Sequence, residues 1–285
     1  MDPLVWLITG ASSGFGHSLA LYALSAGHHV IATMRSLSKS QAAADTIIAK
    51  GGKVLELDVT SPDLSSAAKD AESFYGRIDV LVNNAGYSLL GAVEDVQEHE
   101  INAQFATNFF GPLRLIRALL PSMRAHHSGT IVNITSVAGQ DGIPSCGLYA
   151  ASKFALEGLS ESLALEVAPF GISVLIVEPG AFRTNFLEAV QKPNSGLSEH
   201  YVGTPVDVMV GKFDQFRGKQ PGDPEKGVAR IFEAVTGTGM AGHLKGKILR
   251  LPLGPDCVTR MEAKVKSVTH DIEASREVAC GTNFD

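Results

Sequence analysis

"TGASSGFG", Thr9 to Gly16, closes the short apolar run that begins at Val5 and decides how the rest of the chain is read. Glycines at 10, 14 and 16 permit a tight turn and let backbone N–H groups approach a pyrophosphate at the start of the next helix. The spacing is G-x-x-x-G-x-G and differs from the common G-x-G-x-x-G fingerprint. A glycine-rich turn after a strand is often a plain connection. This one opens a strand–helix–strand unit, where a dinucleotide is expected to sit. Gly10, Ser12, Ser13, Gly14, Phe15 and Gly16 are therefore the first candidate cofactor contacts.

Outward from this turn, short β-rich apolar runs alternate with helical stretches. Strands are expected at Val5–Thr9, His29–Thr33, Lys53–Leu57, Val80–Asn83, Thr130–Ile134, Ser173–Val177 and Lys247–Leu251. Helices are expected between them, for example at Gly16–Ala26, Pro62–Tyr75, Glu98–Arg124 and Tyr149–Ala168. Continuous apolar strands alternating with helices imply a sheet covered on both faces. The expected fold is α/β and Rossmann-like: a doubly wound, seven-stranded, mainly parallel sheet forming a single domain over residues 1–285. Residues 185–226 break the rhythm. They carry Phe186, Leu187, Val190, Tyr201, Phe213 and Phe216, while Pro193, Gly196, Gly203 and Pro205 interrupt any long helix. A connection that long suits a substrate lid, although a fixed excursion whose aromatics fill the core is the alternative. Residues 255–285 read as a polar helix and a tail.

Composition narrows the class. Of 285 residues 45% are hydrophobic and 19% charged, enough apolar material for a large core. The formal charge of −6 speaks against a nucleic-acid partner held by phosphate contacts. Cys146, Cys257 and Cys280 have no metal-ligand spacing and suit a reducing compartment. His17, His28, His29, His126 and His127 lack a recurrent partner spacing, so no metal is expected. The start MDPLVWLITG lacks a basic leader region, and no later apolar run is long enough to span a membrane. A soluble, cytoplasmic protein is the expectation.

Two further places carry chemistry. About 20 residues after the glycine turn, an acidic residue ordinarily binds the ribose 2′-hydroxyl of NAD. Here the count from Gly14 reaches Met34, and Arg35 follows. A guanidinium pairs with a 2′-phosphate, so NADP(H) is placed ahead of NAD(H), unless Arg35 is simply a solvated loop residue. In "LYAASKFALEGLSESLA", residues 148–164, Tyr149 and Lys153 stand four apart on one helical face, a phenol beside an ammonium.

Taken in order, "TGASSGFG", "NNAG" at 83–86, Asn108, Ser136, "YAASK" at 149–153 and "PGAFRT" at 179–184 resemble the short-chain dehydrogenase/reductase family over roughly residues 4 to 185. Within it the chain looks most like the steroid- and retinol-dehydrogenase-like members, including fungal metabolic reductases. Phe15 replaces the aliphatic residue usual between the last two glycines.

The resemblance implies a catalytic tetrad. Tyr149 is the proton donor, Lys153 lowers its pKa together with the oxidised nicotinamide and bonds the ribose, Ser136 holds the substrate oxygen, and Asn108 joins a water relay. Ser136 could otherwise be a cap, and Asn108 a residue that caps or bends its helix. The resemblance places Asp58 at the adenine amino group and Val59 along the ring, against a simple turn at Asp58. It places Asn84, Ala85 and Gly86 at the adenosine ribose, with Asn83 tying neighbouring strands. Pro179 and Gly180 shape the nicotinamide pocket, and Thr184 bonds the carboxamide. The expected activity is NADPH-dependent interconversion of a carbonyl and a secondary alcohol on a bulky apolar small molecule, such as a secondary metabolite. The rivals are an NAD-linked alcohol dehydrogenase and a non-catalytic dinucleotide-sensing regulator. Helices Glu98–Arg124 and Tyr149–Ala168 resemble the pair through which family members form homodimers and homotetramers.

Overall fold

Strands β1 (Val5–Ile8), β2 (His29–Met34), β3 (Lys53–Glu56), β4 (Val80–Asn83), β5 (Gly129–Ile134), β6 (Ile172–Pro179) and β7 (Arg250–Leu253) form one sheet in the computed structural model, which describes residues 2–284. Their order is β3-β2-β1-β4-β5-β6-β7, and every neighbouring pair is parallel, as the continuous apolar runs predict.

Side chains alternate along each strand, which builds two cores. Trp6 and Ile8 face one layer with Val30, Val82, Val132 and Val177, covered by α1 (Gly14–Ser25) and α8 (Pro224–Thr236). Val5 and Leu7 face the other with Ile31, Leu81, Ile131 and Val174. That layer is covered by α3 (Ser65–Ser73), α5 (Gly111–Ala125) and α6 (Gly147–Val167). The fully buried Trp6 stacks on Phe232 of α8 at 5.5 Å. Asn83 donates to Asn133 at 2.8 Å, tying β4 to β5. The chain reverses direction across the sheet between β1 and β4, and that switch point opens the crevice where ligands bind in such folds.

Four local features differ from expectation. The helix expected over Glu98–Arg124 is broken into α4 (Glu98–Phe105), a π-helical turn (Ala106–Phe110) and α5. A π-turn inserts a residue into the hydrogen-bond ladder and turns Asn108 inward, where it is fully buried. β7 begins three residues later than expected, because Lys247 N bonds back to Leu244 O after the 3-10 turn Gly242–Leu244. Pro252 is tolerated there because β7 is an edge strand. Within 185–226, Pro205 begins a helix instead of preventing one: it stands at the first position of α7 (Pro205–Phe216), behind the capping hydroxyl of Thr204. α8 likewise starts at Pro224, capped by Asp223. Helix α2 (Gln41–Ala49) completes the first half, and α9 (Pro255–Cys280) is the expected polar helix. No helix among the described residues is long and apolar enough to cross a membrane.

Candidate functional site

The turn after β1 is shaped by glycine where a side chain has no room. Gly10 has φ +66, and a Cβ there would lie 2.8 Å from Ala85 Cα. A Cβ on Gly16 would lie 2.4 Å from Asn84 Nδ2 and 2.6 Å from Gly10 O, so Gly16 packs beneath the turn. Thr9 Oγ1 accepts from the backbone N–H groups of Asn84 and Ala85, at 3.0 Å each. The Asn84 amide donates to Thr9 O (2.9 Å) and Gly10 O (3.1 Å). "TGASSGFG" and "NNAG" thus lock each other into one floor.

Above that floor runs a cleft of about 940 Å³. Gly10, Ser12, Ser13, Gly14, Phe15, Arg35, Asp58, Val59, Asn84, Ala85, Gly86, Ser136, Tyr149, Lys153, Pro179, Gly180 and Thr184 all line it. Gly16 and Asn108 lie one layer behind. Asn108 Nδ2 donates to Tyr87 O and Ser152 Oγ at 3.0 Å each, and its Oδ1 accepts from Tyr87 N at 3.2 Å. Gly86 is the close-approach position, since a Cβ there would stand 3.1 Å from Asn108 Oδ1 and 3.5 Å from Lys153 Nζ. Asp58 lines the cleft and also closes a turn, with Oδ1 accepting from Thr60 N (2.9 Å) and Thr60 Oγ1 (2.8 Å). Thr184 Oγ1 accepts from Phe186 N at 3.3 Å, and its Cβ stands 3.5 Å from where Gly14 would carry one. A Cβ on Gly180 would strike the Asp256 carboxylate, which accepts from Ala181 N at 2.8 Å.

At the far end the cleft gathers positive charge. Arg35, Ser36, Lys39 and Ser40 all line it, whereas Met34 is buried in the core. Leu37 N donates to Glu56 Oε2 at 2.8 Å, which fixes the loop that carries these groups. Ser36 and Lys39 escaped the sequence reading, although their closeness to Arg35 was a usable signal. Tyr87, Asn102, Thr107, Phe186 and Gln191 also line the cleft and escaped it, because only tertiary folding brings them there.

The other end of the cleft is formed by β5 and α6. Ser136 follows β5, its Oγ accepting from Ala138 N at 3.1 Å and lying near the Tyr149 phenol. Lys153 lies one turn after Tyr149, with Nζ donating to Ile134 O at 2.8 Å and standing 5.9 Å from the Tyr149 ring centre. Burial pushes the Lys153 ammonium down to about 8, against the opposing pull of Glu157. Burial also pushes the Tyr149 phenol above its ordinary value, opposed by the nearby Ser136 hydroxyl. Both side chains are almost fully buried, so desolvation dominates.

Behind Lys153 lies a cluster with no counterpart in the sequence reading. Glu157, one turn further along α6, and Glu178, near the end of β6, are both buried. Arg250 Nε approaches Glu157 Oε2 at 3.3 Å and Glu178 Oε1 at 3.4 Å. Gln140 also donates to Glu157, which joins the Ser136 turn to α6. Burial raises both carboxyls above the usual range, and the neighbouring Glu157 helps bring Glu178 to about 8. A raised carboxyl binds in the folded state a proton that the unfolded chain has released, so stability falls as pH rises from about 4.5 to about 8. In Glu178→Gln this slope is expected to flatten, so that the variant loses less stability than the parent between pH 5.5 and 8.5. Urea unfolding at pH 5.5, 7 and 8.5 checks it, and parallel pH dependences in the two proteins would refute it.

Known proteins agree with this geometry. Residues 4–195 match the family model described as short chain dehydrogenase. A short-chain dehydrogenase of Streptomyces avermitilis superposes with TM-score 0.87 at 42% identity, covering 99% of both chains. The oxidoreductase claN of Passalora fulva is 48% identical over 206 residues, 72% of this chain and 93% of that protein. The 3-ketodihydrosphingosine reductase of Bacteroides thetaiotaomicron is 46% identical over 202 residues, 70% of each.

Proposed function

The chain belongs to the short-chain dehydrogenase family, and from that premise we propose that it interconverts a carbonyl and a secondary alcohol on a bulky apolar small molecule, with NADP(H) as cofactor. The observation that carries the reading is the two-ended cleft, with Tyr149, Ser136 and Lys153 at one end and Arg35 and Lys39 at the other. The glycine cradle fits a dinucleotide, since Gly10, Gly14 and Gly86 line the cleft with bare backbone, and Gly10 and Gly14 hold positive φ values that favour glycine. When bound, the nicotinamide supplies hydride to carbon, or accepts it.

The protein's own groups handle orientation and the proton. Ser136 holds the substrate oxygen beside the Tyr149 phenol, and Tyr149 gives its proton to that oxygen as negative charge develops. Lys153 sits where it can bond the nicotinamide ribose and favour the phenolate, and Asn108 fixes the Tyr87 backbone and Ser152 behind it. Arg35, with Ser36 and Lys39, binds the 2′-phosphate, which favours NADPH and so the reductive direction. A match to a relative named as a 3-keto reductase supports that direction. The apolar Phe186 ring, 5.8 Å from Tyr149, suits a substrate with a large apolar body, such as a secondary metabolite. The three thiols are free and suit a reducing cytoplasm. Pairing of subunits through α5 and α6 is part of the same proposal. Initial rates with NADPH and NADH on a panel of apolar ketones and aldehydes test the reading. Equal use of the two cofactors would refute the NADP assignment.

The lid narrows to part of 185–226. Its first half is anchored to the loop after β4: Leu90 N donates to Gln191 O and Gln191 N to Ser88 O, at 2.9 Å each. Asn194 N donates to Glu100 Oε1 at 2.8 Å, and Pro193 is buried against Gly91. No residue of α7, by contrast, is buried. Residues 185–198 are therefore the fixed wall and α7 the moving cover. In hydrogen exchange, 205–216 is expected to exchange at least about tenfold faster than 186–194 in the free protein. It should slow on addition of NADPH and a substrate ketone. Equal protection of the two stretches in the free protein would sink the lid.

A further inference from the structure

α9 carries an apolar seam that nothing in the chain covers among the described residues. Its first turns are tied down, with Cys257 buried and Arg260 Nε bonded to Asp141 Oδ2 at 2.8 Å. From Val265 to Cys280 every residue is exposed, about 24 Å of helix at 1.5 Å per residue. A polar all-round helix would be at ease there, but this one is not polar all round. Val258, Met261, Val265, Val268, Ile272 and Ala279 recur at alternating spacings of three and four, with Ser275 filling the one polar seam position. Val265 is 65%, Ile272 53% and Val268 42% exposed. That is the first and fourth positions of a heptad, with β-branched Val258, Val265 and Ile272 in the first, as paired helices favour.

We propose that this seam is a self-association surface, on which α9 of a second copy of the same chain packs. The flanking charges choose this occupant. Beside the seam stand Lys264, Asp271 and Arg276. A second α9 laid parallel sets Asp271 against Arg276 of its partner, and one laid antiparallel sets Asp271 against Lys264, so either direction joins opposite charges. The helix holds four basic and five acidic residues, without the basic excess that attracts an anionic lipid surface. The surface is separate from α5 and α6, so pairing here adds an association step to any made there.

Light scattering of the full chain at micromolar concentration, beside the double variant Val265→Glu/Ile272→Glu, tests the proposal. Both positions are exposed in the single chain, so the variant should keep its circular-dichroism spectrum and NADPH affinity. The parent is expected to have at least twice the molar mass of the variant. Equal masses would overturn the proposal, whether both proteins are monomers or both are oligomers. A second arm uses Val268→Cys in a Cys280→Ser background with a short bismaleimide. Residue 268 lies near its own copy in either direction, so a covalent dimer is expected, and none forming in an associated sample would overturn the seam. Co-sedimentation of a monomeric parent with phosphatidylserine vesicles, lost in the double variant, would also overturn it in favour of a lipid.

Discussion

Tyr149→Phe is expected to lower kcat about a thousandfold, within the ~10²–10⁴ range of a positioned acid or base, with the NADPH dissociation constant changed less than about threefold. The split follows from the geometry. The substitution deletes one phenolic oxygen, which meets Ser136, and leaves the ring packed against Phe186 and Ala138. The loss corresponds to about 4 kcal/mol of transition-state stabilisation. Single-turnover NADPH oxidation, with NADPH binding followed by fluorescence, separates chemistry from binding. Turnover within tenfold of the parent would mean that another group supplies the proton.

Arg35→Ala/Lys39→Ala carries the second large effect, this time on binding. Both cations line the cleft, and if they hold a 2′-phosphate as proposed, two charge-assisted hydrogen bonds together contribute about 3 kcal/mol. NADPH is then expected to bind about 10²-fold more weakly, while NADH, lacking that phosphate, changes less than about threefold. Met34 is not a useful target, since it is buried in the core and a carboxylate there would be buried with it. Isothermal titration with both cofactors decides the point. An equal loss for NADPH and NADH would show that the pair supports the loop and not the phosphate.

Much of the fold was legible because its signals are local. The inner strands β1, β2, β4, β5 and β6 are short, mainly apolar runs bounded by turn residues, and burial on both faces makes such runs continuous, whereas the edge strand β3 (KVLE) is only half-buried. The elements that were missed depend on context. Pro205 looks like a helix breaker until Thr204 is seen capping it, for proline is disruptive inside a helix and favourable at its start. The π-turn around Asn108 has no periodic signature of its own, and it lies where the junction of α4 and α5 packs against α6. β7 shifted because Lys247, expected to open the strand, instead closes the turn that follows the 3-10 segment, its N–H donating to Leu244 O.

The site divides in the same way. The glycine turn, Asp58, "NNAG" and the Tyr149/Lys153 pair were visible as spaced motifs, and the fold brings them to one cleft. The protonation balance was not visible. Burial pushes the Lys153 ammonium down toward about 8, while Glu157, one turn away, opposes that shift. Glu157 looks like an ordinary surface residue of an amphipathic helix, and only the crossing of β6 and β7 behind α6 buries it beside Glu178 and Arg250.

Hydride transfer between cofactor and carbonyl is the centre of the account. The most direct measurement incubates the protein with NADPH deuterated at C4 and a panel of apolar ketones, then reads the alcohols by mass spectrometry. The predicted result is deuterium on the carbinol carbon of at least one product, absent when Tyr149→Phe replaces the parent. NADPH bound tightly, with no label reaching any carbonyl in the panel, would contradict it and favour a cofactor-sensing protein on the same fold.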